Sequence, residues 1–176
     1  MGTGVMDYFN QESERLIFRK VTPQDIPSWL TFFANNDRLN FLGIDVTKPH
    51  EVIATEWINM QIQRYATQGF GSLAVIEKST GGFIGLVGIV PREIDDLIEY
   101  EIAYSLIPKY WGKGYATEAA RHMKQFGYEA GIAPYFISII HQSNTDSMHV
   151  AQKNGMHILR ETHYLGMNVF VFADKA

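Results

Sequence analysis

Residues 99–119 read EYEIAYSLIPKYWGKGYATEA. The first part alternates. Glu99, Glu101 and Ala103 share one face and Tyr100, Ile102 and Tyr104 the other, which is the period of a strand. Pro108 ends that run, Gly112 and Gly114 flank Lys113, and good helix formers follow from Tyr115. A helix usually opens on Ser, Thr, Asp or Asn, whose side-chain oxygen accepts from one of the first free N–H groups. This one opens on Gly-Lys-Gly with no such side chain.

Working outward, PYFISIIHQ (134–142) reads as the next strand. Strand 97–107, the helix from 115 and strand 135–141 therefore form a crossover, which makes the two strands parallel neighbours. Upstream, FGSLAVIEKSTGGFIGLVGIVPR (70–92) is two apolar runs around STGG, a hairpin. RLIFRKV (15–21) has strand composition. TPQDIPSWLTFFANND (22–37) starts a helix with Thr22 as N-cap and Pro23 at the first position, and Pro27 interrupts it. Residues 49–69 carry apolar side chains at 52, 53, 57, 58, 60, 62 and 65, a helical period ending at Gly69. Between them, 39–49 is expected to be a loop. Downstream, NTDSMHVAQKNG (144–155) is a short helix capped by Asn144, and 157–174 closes with one or two strands. The order is β-α-α-β-β-β-α-β-α-β-β. Residues 1–13 are polar and expected to be a loose arm before a single domain over 14–176.

The chain has 176 residues, 46% apolar and 19% charged, enough to bury a core. A formal net charge of −4 gives no basic field for nucleic acid. The absence of cysteine excludes disulfides, thiolate nucleophiles and Cys-ligated metal. No apolar run approaches the ~20 residues of a membrane span. The opening MGTGVMDYFNQESER lacks the basic-then-apolar pattern of a signal peptide. A cytoplasmic protein without membrane or nucleic-acid partners is expected, as monomer or homodimer. Six histidines are scattered; His157 and His163 could face one another across a final hairpin, but no metal is expected.

The first N–H groups of a helix have no intrahelical partner. Gly112, Lys113 and Gly114 set further N–H groups beside them without bulk, and the positive helix end lies behind. That surface suits a phosphate or pyrophosphate, which would take the place of the missing cap. The bland alternative is an ordinary turn. Neither G-x-x-x-x-G-K-S/T nor G-x-G-x-x-G is present.

The segment IAYSLIPKYWGKGYATEA resembles the acetyl-CoA-binding motif of the GNAT superfamily of N-acetyltransferases. That motif is Gln/Arg-x-x-Gly-x-Gly/Ala, here Trp111-Gly112-Lys113-Gly114-Tyr115-Ala116, with Trp111 replacing the usual first residue. Asn144, Ser147 and Lys153-Asn154-Gly155-Met156 resemble the N-x-x-S-x-x-V-x-x-K-L-G-F of the branch similar to ribosomal-protein N-terminal acetyltransferases, with Met156 for Phe. The resemblance implies an α+β, three-layer fold around a mixed, mostly antiparallel sheet of about six or seven strands. Strands 97–107 and 135–141 would splay to admit acetyl-CoA. Residues 112–117 (Gly112, Lys113, Gly114, Tyr115, Ala116, Thr117) would wrap the pyrophosphate. Tyr104, Ser105 and Leu106 would pair with the pantetheine arm like an added strand. Asn144 would bond that arm and Ser147 would lie near the thioester.

Acetyl transfer to an amine needs the amine neutral and benefits from a base. Glu101, in an Glu101-Ile102-Ala103-Tyr104 pattern similar to the branch's E-I-G-Y, is the candidate; a solvated strand residue is the plain alternative. His141 is a second candidate base. The Tyr that many relatives place seven residues after the Asn is Ala151 here, which leaves Ser147 as the candidate donor to the departing sulfur. Glu118 is expected to be structural, and Asp95 and Asp96 to form a turn or to attract a cationic amine. Trp29, Phe32, Phe33 and Trp57 are expected mostly in the core, with one or two in an acceptor wall. The acceptor would be a protein N-terminus or a small-molecule amine. A CoA-binding domain without catalysis is the competing class.

Overall fold

The computed structural model describes residues 6–175. β1 (Asn10–Glu12) and β2 (Leu16–Arg19) come first, then α1 (Ile26–Leu30) and α2 (His50–Gln68). β3 (Gly71–Glu77), β4 (Phe83–Ile94) and β5 (Leu97–Leu106) follow. α3 (Tyr115–Glu129), β6 (Ile137–His141), α4 (Thr145–Lys153), β7 (His157–Tyr164) and β8 (Met167–Ala173) complete the chain. The strands form one eight-stranded sheet in the order β1-β2-β3-β4-β5-β6-β8-β7. Every neighbouring pair is antiparallel except β5 and β6, which are parallel. After β1, the element order is the one expected from the sequence.

β1 is the extra strand, and it corrects the expectation of a loose arm over 1–13. Tyr8 is buried; its hydroxyl donates to Gly71 O and accepts from Ile89 N–H at 2.8 Å. Gln11 is buried too, against Met123 and His122 of α3. A polar-looking segment is held because one aromatic ring and one amide find partners far away in the chain. Residues 1–5 of that arm lie outside the described residues.

The first helix is shorter than its start signal suggests. A 3-10 turn at Pro23–Asp25 leads into α1, and another at Thr31–Phe33 follows it. Pro27 removes a helix donor. The start signal itself holds, since Asp25 accepts from Thr22 N–H at 2.8 Å and from both ends of the Arg19 guanidinium at 2.9 Å. α2 ends at Gly69 with φ 74, the left-handed stop that glycine supplies.

α2 packs on α1 and β3, and α3 on β4 and β5. Trp29, Phe18, Phe136 and Phe172 are fully buried in the core, each contributing on the order of 2–3 kcal/mol by removal from water. β3 is buried along almost its whole length, as a strand covered on both faces must be.

The central feature is where β5 and β6 part. They pair at Glu101↔Ile137. Beyond that point side chains replace the ladder: Ser138 Oγ donates to Ile102 O at 2.9 Å, and Glu101 Oε2 accepts from Ile139 N–H at 2.7 Å. β4 continues alongside β5 to Gly85↔Leu106. The edge of Tyr104, Ser105 and Leu106 turned away from β4 therefore faces a gap rather than a strand.

Candidate active site

The turn before α3 is built as an open donor surface. Gly114 is the N-cap with φ 79, and no side chain bonds the first helical turn. Gly112 has φ 76, and a Cβ there would meet open space. Both positions need the left-handed backbone that glycine adopts without strain. The turn is tied down from behind. Glu118 accepts from Ser13 Oγ at 2.6 Å, Arg15 N–H at 2.9 Å and Arg15 Nε at 2.6 Å. Arg15 Nη1 in turn donates to Lys113 O at 3.0 Å. Burial works against the Glu118 charge, and its bonds to Ser13 and Arg15 outweigh it, holding the carboxyl below its usual range. Glu118, expected as structural, thus anchors the turn to the start of β2. Glu118→Ala should lower stability by about 2 kcal/mol, the worth of its charge-assisted bonds, and weaken coenzyme A binding roughly tenfold in a calorimetric titration.

A cavity of about 560 Å³ runs from this turn to α4. Trp111, Gly112, Gly114, Tyr115, Ala116 and Thr117 line one end, and Tyr104, Ser105, Leu106, Asn144 and Ser147 the other. Lys113 does not line it; its ammonium lies 5.7 Å from the Tyr110 ring. Tyr115 is buried and its hydroxyl donates to Glu77. Asn144 Oδ1 caps α4 by accepting from Ser147 N–H at 3.3 Å. Trp111 Nε1 donates to Leu106 O at 2.8 Å, and the Arg38 guanidinium stacks 3.6 Å over its ring. Arg38 also pairs with Asp146 of α4 across the cleft. No local pattern marks Arg38, because it reaches the cleft from the segment after α1.

A second cavity, of about 510 Å³, lies between α2, residues 41–48 and the gap between β5 and β6. The two cavities share Leu42, Tyr104, Ser105 and Ser147. At this junction Ser147 Oγ donates to the Tyr104 hydroxyl at 3.1 Å, which donates to Ser147 O at 3.0 Å. Burial pushes the Tyr104 phenol above its ordinary range; the Ser147 bond opposes the rise and the Glu101 charge adds to it. Tyr104 was expected only for its backbone, and its hydroxyl is a group that strand periodicity does not reveal.

Glu101 lies in the wall of the second cavity with only 7% of its surface exposed. One oxygen pairs with Arg92 Nε at 3.0 Å and the other takes the Ile139 N–H. It is neither solvated nor idle. His141 is absent from both cavity walls; its Nδ1 accepts from Ser143 N–H at 3.0 Å and its ring packs on Phe41. Asp95 and Asp96 form the β4–β5 turn at φ 51 and 61, and Asp95 pairs with Arg160 at 2.8 Å. Trp29, Phe32 and Phe33 are buried, while Trp57 reaches the second cavity. Ala151 is buried as well, so that position carries no acid. His157 and His163 lie on the same strand, β7, and do not face each other across the hairpin. Among the described residues no cluster of His, Cys, Asp and Glu could hold a metal ion, and no helix is long and apolar enough to cross a membrane.

A splayed parallel pair beside an uncapped glycine turn, with two cavities meeting between them, is the architecture of an acyl-CoA-dependent acetyltransferase. The profile of the acetyltransferase (GNAT) domain matches residues 15–157, and the chain belongs to that family of N-acetyltransferases. It is 31% identical over 121 residues to the uncharacterised protein YkkB of Bacillus subtilis (strain 168), covering 69% of this chain and 70% of that one. The uncharacterised N-acetyltransferase YoaA of the same organism is 24% identical over 156 residues, 87% of each chain. The solved structure of RimL, a ribosomal L7/L12 α-N-protein acetyltransferase in complex with coenzyme A, superimposes with a TM-score of 0.74 at 16% identity. It covers 92% of this chain and 94% of its own.

Proposed function

We propose that the protein transfers acetyl directly from acetyl-CoA to a primary amine within a ternary complex. The observation that carries this reading is the meeting of the two cavities at Tyr104, Ser105 and Ser147. Acetyl-CoA fits the first cavity by chemistry: an open N–H surface for the pyrophosphate, a free strand edge for the amide-bearing arm, and Arg38 at the wall. The structural likeness to RimL bound to coenzyme A supports the same placement. When bound, acetyl-CoA supplies the thioester. The amine acceptor enters from the second cavity.

The chain's own groups then do the following. The N–H groups of 112–117 bind and fix the phosphates. The edge of Tyr104–Leu106 orients the arm. Glu101 takes a proton from the amine through water; its two oxygens keep acceptor capacity beyond the bonds to Arg92 and Ile139, since a carboxylate offers roughly four lone-pair sites. Tyr104, kept protonated by burial, holds a proton beside Ser147 for the departing sulfur. No cysteine exists to carry an acetyl group, which supports direct transfer from donor to amine. Thiol release on mixing acetyl-CoA with a panel of amines tests the reading, with product mass confirming N-acetylation. Coenzyme A binding without turnover on any amine would instead make the domain a non-catalytic acyl-CoA sensor.

A further inference from the structure

Six charged side chains line the second cavity: Asp45, Lys48, Glu56, Arg64, Arg92 and Glu101. Arg64 of α2 and Arg92 of β4 both line it. The Glu101 carboxylate of the same wall is committed to Arg92 at 3.0 Å and to the Ile139 N–H at 2.7 Å. Among the described residues Arg64 has no carboxylate within ion-pair distance. Its Nη1 donates to Gln61 Oε1 at 3.3 Å, and that oxygen is already held by the Ser72 N–H at 2.9 Å. Burial pushes the Arg64 guanidinium down and the like charge of Arg92 adds to the effect, while Tyr164 and the Glu101 charge oppose it without reversing it. The lysine of the wall, Lys48, is exposed and balanced by Glu56 at 3.3 Å. A half-buried cation without a counter-ion has lost hydration that an anion in the cavity would replace. A guanidinium also offers a planar fork that matches a carboxylate.

The position of this cation limits the ligand. Ser105, at the junction with the first cavity, is four residues beyond Glu101, roughly 13 Å along the strand. Trp57, Met60 and Met167 supply apolar surface to the same cavity. We infer that the acceptor is a small amine whose carboxylate, several bonds from its nitrogen, sits on Arg64, with an apolar body between the two ends. An ω-amino acid or a dipeptide has that form. The amine end rests on the acetyl-transfer reading above; the anion end does not.

Initial rates on matched pairs test it: 6-aminohexanoate against its amide, and leucylglycine against its amide. The wild type should favour the acid in kcat/KM by roughly 10- to 100-fold, the worth of one charge-assisted pair. Arg64→Gln should collapse that ratio toward unity, and Arg64→Lys should restore part of it. A wild-type ratio near unity, or an unchanged ratio in Arg64→Gln shown to be folded by its melting curve, overturns the inference. If acetyl transfer itself fails, no amine turns over, and binding decides alone. Hexanoate and hexanamide are then titrated by calorimetry into wild type and Arg64→Gln. Hexanoate binding that the substitution abolishes keeps the anion site; equal or absent binding of both by wild type removes it.

Discussion

Gly114→Asp is expected to abolish coenzyme A binding in a chain that still folds. Gly114 has φ 79, stands at the N-cap of α3 and lines the first cavity. Any Cβ there carries the cost of a left-handed residue, about 1–2 kcal/mol. The nearest heavy atom to such a Cβ is Arg15 Nη2 at 3.5 Å, ordinary contact, so the substitution meets no steric block from the chain itself. What it meets is the ligand. A carboxylate at this point would take the open N–H groups for itself, as an ordinary aspartate cap does, and repel the pyrophosphate. The loss of several charge-assisted bonds should raise the dissociation constant by on the order of 1000-fold. Gly114→Ala separates strain from charge: it should share the small drop in melting temperature and keep measurable binding. Titration with coenzyme A reads both. A folded Gly114→Asp chain that binds like wild type would move the pyrophosphate site elsewhere.

Glu101→Gln should lower turnover by about 100-fold near neutral pH, the usual worth of a general base. The deficit should shrink as pH rises, because the amine acceptor then loses its proton unaided. The glutamine can still accept the Ile139 N–H, but it leaves Arg92 without its counter-charge. Removing one partner of a buried pair costs about 3 kcal/mol or more, so the variant should also melt earlier. It should also draw an anionic acceptor more strongly, with KM falling while kcat falls. A pH–rate profile that runs parallel to wild type would remove Glu101 from proton transfer. Its role would then be to hold Arg92 and bridge the point where β5 and β6 part.

Much of the turn before α3 and of α4 was legible before the structure. Gly112, Gly114 and the uncapped helix form a local device: backbone conformation and free N–H groups depend on residues adjacent in sequence. Asn144 and Ser147 sit one turn apart, and their relation is fixed by helical period. The tether of that device was not legible. Arg15 and Glu118 meet across 103 positions of chain, as the backbone bond of Arg15 to Glu118 shows. The same distance hid the fate of residues 6–13. Tyr8 lies 81 positions from the Ile89 N–H it accepts, and no periodicity announces a ring that completes a core belonging to other elements.

The acceptor side was legible only in outline. Glu101 was identifiable as an acidic residue on a central strand, but not its partners. Arg92 is brought to it by the β4–β5 register and Ile139 by the crossover, while the packing of α2 on the sheet sets Arg64 in the same cavity wall. By itself the sequence determined the family, the order of elements after β1 and the uncapped glycine turn before α3, because each follows from local conformation and short spacing. The tertiary structure alone decided which carboxylate is spent, which phenol stands beside Ser147 and which guanidinium is left without an anion. Those are questions of charge and hydrogen bonding in a low-dielectric cleft, and their answers depend on which distant residues the fold brings within 3 to 4 Å.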